Sequence, residues 1–283
     1  MVERSVSESR PRVNKAALDA LYERLNKREY VSPDPLEVLY DYPDLQDREI
    51  AALVASSLAF GGVKQIVTSV RKVLKAIDPP SVTLAKWNRG KLAAAVSGFK
   101  HRWAAGADMA ALLWGAAEAI RLFGTLEACF AAKLNGTVQS ALTGFATAIA
   151  GDGTNPLLPI PSRGSACKRL HLFLRWLVRK DAVDPGGWTC VSPSMLTIPL
   201  DTHMFRISRA LGLTARKTAG AKCAEEITAA FRTVSPEDPV KYDFALTRLG
   251  IRSDQDLHAF VQEYGAQFEG KAFGPADSSE FQG

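Results

Sequence analysis

What this chain has little of narrows the possibilities first. Alternating runs of β-branched and polar residues are scarce over its 283 residues. A half-buried strand needs such runs, because successive side chains point to opposite faces. Alanine and leucine, both good helix formers, dominate instead, and an almost wholly helical, all-α protein is expected. No apolar stretch approaches the roughly 18 residues of a membrane span, so no membrane partner is expected. The opening MVERSVSESRPR is polar and does not read as a secretory leader. The four cysteines, Cys129, Cys167, Cys190 and Cys223, show no CxxC spacing. They read as reduced thiols of a cytoplasmic protein. No internal repeat is visible.

What is present is a chain that is 47% hydrophobic, enough for a full core, with a net charge of +5 and a pI near 9.0. The basic surplus fits a polyanionic partner. Residues 1–13 read as a disordered start, 14–252 as one domain and 253–283 as a partly disordered tail with an amphipathic piece at 256–268. Helices are expected at 14–28, from a cap at Asp47 through Ala59, and at 63–76, 108–123, 126–133, 138–149, 221–234 and 236–249. The segment GDGTNPLLPIPSRG, 151–164, is Gly/Pro-rich and irregular.

The stretch from Ser165 to Arg209 organises the rest. Leu170, Phe173, Leu174, Leu177 and Val178 form a buried stripe at helical spacing over 165–179. Lys168, Leu172, Arg175 and Arg179 follow on another, largely cationic face. Lys168 lies in the first turn, where the helix dipole disfavours a positive charge. Burial would push the amine the same way, toward its neutral, nucleophilic form. A second helix opens at Pro199-Leu200-Asp201-Thr202-His203. Proline disfavours helix in the residue before it, and aspartate is a preferred cap. Read alone, Lys168 is a solvated lysine and Asp201 a helix cap.

Together they carry a resemblance. PLDTHMFRISRALGL resembles the VDTHIFRV-type segment of the helix-hairpin-helix DNA glycosylases, the superfamily of endonuclease III, and its catalytic aspartate falls on Asp201. In the usual family pattern a Gly-rich hairpin, LPGxGxKT, supplies a lysine at the position occupied here by Val183. Here the spacing instead is similar to that of the archaeal 8-oxoguanine DNA glycosylase branch, whose lysine lies farther upstream. Lys168 precedes Asp201 by 33 residues. The segment CKRLHLFLRWLVR…PLDTH also resembles an uncharacterised bacterial family of about this length.

The resemblance implies two helical subdomains flanking a DNA cleft, one at about 45–150, the other at about 14–44 plus 165–252. It implies base-excision repair: Lys168 attacks the sugar of a flipped, oxidised purine nucleotide such as 8-oxoguanine, Asp201 assists, and a Schiff base permits strand nicking. By alignment Phe60, at the Phe60-Gly61-Gly62 break, is the wedge that fills the vacated stack. Gln65 and Asp243 are base-pocket candidates. Arg163, Gly164, Arg175, Arg206 and Arg209 are candidate phosphate contacts. The partner is double-stranded DNA, no cofactor or metal is expected, and the cysteine spacing excludes the iron–sulfur cluster of many relatives. A monomer is expected. The bland readings stay open: Phe60 as core beside a Gly61 cap, Asp243 as an ion-pair partner, the arginines in salt bridges. Phe99-Lys100-His101-Arg102-Trp103 mixes charge and aromatics, and fits either a phosphate or stacking contact or surface packing. The rival function is a catalytically silent DNA-binding protein that keeps the fold.

Overall fold

The computed structural model describes residues 14–151, 153–161, 164–251 and 260. The start at 1–13, Arg163 and, apart from Phe260, the tail at 253–283 lie outside the described residues. Twelve α-helices run in order among the described residues: α1 (Lys15–Leu25), α2 (Leu45–Ser57), α3 (Val63–Ala76), α4 (Pro80–Lys86), α5 (Arg89–Ala95), α6 (Gly106–Phe123), α7 (Leu126–Ala131), α8 (Val138–Ala150), α9 (Lys168–Val178), α10 (Thr202–Ala210), α11 (Ala221–Arg232) and α12 (Asp243–Ile251). The sheet described is one antiparallel hairpin, β1 (Lys100–His101) with β2 (Ala104–Ala105). The helical class expected from composition is what is found.

Two helices form the centre. Every residue of α2 from Glu49 to Ser57 is buried, and α9 is buried from Leu170 to Val178 except at Leu172. They pack on each other. Glu49 is the unexpected member of that core. It accepts from the backbone N–H groups of Leu126 and Glu127, capping α7, and from Trp188 Nε1 at 2.6 Å. Burial pushes its pKa up to about 7 against those three donors. The Trp188 ring packs at 5.2 Å from Phe173 of α9 and near Phe130 and Phe145.

Around this pair, α6 packs on α5, α7 and α8. The α6–α8 approach depends on Gly115, where a Cβ would sit 1.8 Å from the Ile149 carbonyl oxygen. At the other side α12 packs on α1 and α10. Asp19 of α1 accepts from Lys241 and from Tyr242 at 2.8 Å, tying the start of the domain to its end. The 3-10 stretch Pro35–Asp41 packs on α2 and α3.

Several boundaries differ from the sequence expectation. The cap of α2 is Asp44, which accepts from Gln46 N and Asp47 N. Asp47 instead accepts from Ser81 N at the start of α4. α9 begins at Lys168, not Ser165, because Cys167 is held in a left-handed conformation (φ 43°) with its N–H on Ser165 Oγ. The helix expected from Pro236 starts at Asp243, after a turn in which Lys241 N reaches the Asp238 carbonyl.

Candidate active site

Three helix beginnings meet in this fold, and each brings an ionisable side chain. Lys168 is the first residue of α9, Asp201 caps α10 and Asp243 opens α12. The Asp201 carboxylate divides its two oxygens. Oδ1 accepts from Met204 N at 2.8 Å and closes the first turn of α10. Oδ2 lies 3.3 Å from Lys168 Nζ. Capping and pairing, competing readings in the sequence, are thus both realised by one residue. The two side chains are 33% and 21% exposed, so the pair is shielded yet open to an incoming ligand. Lys180, 21 residues before Asp201, lies beyond the opposite end of α9, whose 11 residues span about 16 Å at 1.5 Å per residue.

Behind the pair lies a buried charge network. Asp243 is 2% exposed. It pairs with Arg175 Nη1, while its Oδ1 has no hydrogen-bond partner. Burial raises its pKa to about 6. The Arg175 guanidinium opposes that rise and the nearby Asp201 carboxylate adds to it. Arg175 also chelates Asp184, from Nε at 3.2 Å to each carboxylate oxygen and from Nη2 at 3.0 Å. Arg179 reaches Asp184, Asp181 at 2.9 Å and Asp238 at 2.8 Å.

This corrects the expected cationic face. Arg175 and Arg179 do not face solvent; they are 4% and 3% exposed. The loop after α9 and the approach to α12 supply carboxylates that neutralise them, so the helix can be buried on nearly all sides. Arg175 is therefore not available to a DNA phosphate. Asp243 fits its bland reading as an ion-pair partner, but at the site rather than away from it.

The remaining candidates are dispersed. Phe60 is half-buried between two neighbours. Trp103 stacks on it at 4.7 Å and an interplanar angle of 7°, and the Arg169 guanidinium lies 5.5 Å from its ring centroid. With Trp103 stacked on it and His101 and Arg169 close by, the ring is not free to slide between base pairs. Gln65 is exposed on the first turn of α3, and Arg206 and Arg209 are exposed on α10, the latter near the Phe205 ring. Gly164 is exposed at φ 79°, and its carbonyl accepts from Ala221 N at 3.2 Å. A cavity of about 500 Å³ opens beside it, lined among others by Gln139, Pro161, Arg216 and Lys222.

Sequence reasoning passed over two residues next to Lys168. Arg169 donates to the Ser57 and Pro156 carbonyls and so ties α9 to the end of α2. His171, one turn along, is 3% exposed with Nδ1 unpartnered. Burial pulls its pKa down to about 4. The arginine network had a local signal: Arg175 and Arg179 are one turn apart, and Asp181 and Asp184 follow at once. Among the described residues no group of three or more His, Cys, Asp or Glu is placed to hold a metal ion.

A family model described as a protein of unknown function (DUF2400) matches residues 34–252, well over half of the sequence. The chain belongs to the DUF2400 family. The DUF2400 region takes in Lys168, Asp201, Asp243 and the Phe60–Trp103 stack, and leaves α1 outside it. No curated protein and no solved structure matches the chain.

Proposed function

We propose that this DUF2400 chain is a DNA glycosylase of base-excision repair, with Lys168 as nucleophile and Asp201 as its acidic partner. The single observation that carries the reading is the 3.3 Å approach of Lys168 Nζ to Asp201 Oδ2 across two helix starts. An amine beside a carboxylate, partly shielded and reachable from outside, is the pair needed to open a glycosidic bond without a metal.

The target base is stacked in a duplex, so the nucleotide is first turned out. Lys168 first gives up its ammonium proton to solvent, and the freed nitrogen lone pair forms a bond to C1′. The C1′–N bond breaks, and the base leaves with that electron pair and a proton. Asp201 stabilises the positive charge that develops on the sugar. Ring opening yields an imine, from which β-elimination of the 3′ phosphate nicks the strand. Oxidised purines such as 8-oxoguanine are the proposed substrates. The helical subdomains at about 45–150 and at about 14–44 plus 165–252 flank the DNA, and the exposed Arg206 and Arg209 on α10 sit at its backbone.

Borohydride trapping on a panel of lesion-containing duplexes tests this. The wild-type protein is expected to form a covalent adduct with an oxidised-purine duplex. Lys168→Gln abolishes it and leaves DNA binding nearly intact. Asp201→Asn keeps the cap through its remaining oxygen but slows base release by about two to three powers of ten. Trapping that survives Lys168→Gln refutes the assignment. Salt-sensitive duplex binding with no trapping on any lesion leaves the silent DNA-binding protein as the reading.

A further inference from the structure

Trp103 is 54% exposed, the one aromatic among the large apolar side chains left in solvent by the described residues. It is nonetheless held in place. It sits in the turn of the β1–β2 hairpin, and one ring face lies flat on Phe60 at 4.7 Å. His101, 1% exposed, anchors the hairpin to the α2–α3 break. His101 Nδ1 is 3.0 Å from Ser69 Oγ and Nε2 is 2.9 Å from the Phe60 carbonyl. One neutral tautomer satisfies both, with Nε2–H donating to the carbonyl and Nδ1 accepting from the hydroxyl. Its ring also packs edge-on against Phe60 at 4.8 Å. Gly61 completes the seat. At φ +97° it lets the Arg102 side chain lie where a Cβ would come within 2.8 Å of Arg102 Cδ.

The stack lies against α9, the helix that Lys168 opens. Arg169, whose guanidinium lies 5.5 Å from the Phe60 centroid on α9, is the residue after Lys168. The exposed charges on the hairpin turn and the first turn of α3 are cationic, the carboxylate nearest the hairpin in sequence, Asp108, being turned onto Ala105 N. Lys64, Lys100 and Arg102 are exposed, and neither 60–72 nor 98–107 contains an acidic residue. A rigid indole face with free cations about it suits a flat, aromatic, polyanion-borne group.

We propose that Trp103 is the platform on which an unpaired nucleobase stacks when this protein engages DNA, and that Phe60, half-buried beneath it, is its support rather than the wedge. The inference rests on the DNA reading above and assigns it a contact surface outside the Lys168–Asp201 pair. Stacking on an aromatic side chain is tolerant of sequence, so the platform selects for an unpaired base and not for its identity.

The test uses the full chain and two duplexes of one sequence. One is intact; the other carries a tetrahydrofuran abasic analogue opposite 2-aminopurine. Wild type is expected to bind the abasic duplex more tightly than the intact one and to quench the 2-aminopurine fluorescence. Trp103→Ala should lose about tenfold in affinity for the abasic duplex and most of the quenching. Its affinity for intact duplex, and the salt dependence of both, should not change, because no phosphate contact is removed. Trp103→Phe should restore most of the loss, and circular dichroism should show both variants folded. The proposal is overturned if Trp103→Ala keeps the wild-type preference and quenching, or weakens both duplexes equally. Absence of salt-sensitive binding by wild type overturns it together with the DNA reading. A Trp103-dependent preference in a protein that never traps with borohydride supports the platform and refutes the glycosylase.

Discussion

Replacing Asp184 with asparagine perturbs the buried network that holds α9 without touching the Lys168–Asp201 pair. Asp184 is fully buried and serves two guanidiniums, Arg175 through Nε and Nη2 and Arg179 through Nη1. At an effective dielectric of about 20, two unit charges about 4 Å apart attract by about 4 kcal/mol. Asparagine keeps one acceptor oxygen, removes the charge and turns an N–H toward a cation. Arg179 retains Asp181 and Asp238, so its loss is partly covered. Arg175 falls back on Asp243 alone, a carboxyl group that burial already drives toward its neutral form. Breaking a buried pair by removing one partner typically costs about 3–5 kcal/mol. With one guanidinium still served, about 3–4 kcal/mol is expected, a large part of the roughly 5–15 kcal/mol that holds a domain together. Urea unfolding followed by far-ultraviolet circular dichroism reads this as a lower midpoint at unchanged m-value. Thermal unfolding should show a fall of roughly 10 °C. A loss below about 1 kcal/mol would sink the argument, since Asp184 would then not be neutralising two buried cations.

Other consequences follow from single observations. His171 is neutral when folded, with a pKa near 4 against 6.5 in the unfolded chain. Between those values the unfolded chain binds the extra proton, so stability falls as pH drops through the window, by about 2 kcal/mol at pH 5. Asp243 works in the opposite sense, since its pKa is raised to about 6. The readout is therefore the difference between wild type and His171→Leu, and parallel pH–stability curves would refute it. Gly61→Ala should cost about 1–3 kcal/mol, because φ +97° strains any other residue and the new Cβ meets Arg102. It should also shift the tryptophan emission of the hairpin, and an unaltered spectrum at wild-type stability counts against the seat described for Trp103. Glu49→Gln should cost about 1–3 kcal/mol, because an amide turns N–H toward donors the carboxylate accepted from. A neutral result in urea unfolding at pH 8 would show those contacts to be dispensable. Duplex binding should weaken by powers of ten between about 50 and 200 mM salt if several phosphates are neutralised, and salt-independent binding would contradict the polyanion partner.

Local patterning by itself determined the helical class and the helix start at Asp201, and it put Lys168 in the first turn of a helix whose start lies three residues later than expected. Helical periodicity and capping are short-range, encoded within a few residues of each element. The sequence also carried Asp201's double claim as cap and partner, though not that its two oxygens would divide the tasks. Tertiary structure decided the rest. Arg175 and Arg179 read as part of a largely cationic helix face, yet they are buried in ion pairs, because the carboxylates that neutralise them include Asp238 and Asp243, some 60 residues away in sequence. Periodicity within one helix cannot report a charge that arrives from another. Phe60 read as either a wedge or core beside a Gly61 cap, and a hairpin 40 residues later decides between them by placing Trp103 over its ring and His101 beneath its carbonyl. Asp243 read as a base-pocket candidate or an ion-pair partner, and helix packing sets it behind Asp201, paired to Arg175 with one oxygen unpaired. Whether a polar side chain meets water or a partner is settled by long-range packing, which no local pattern contains.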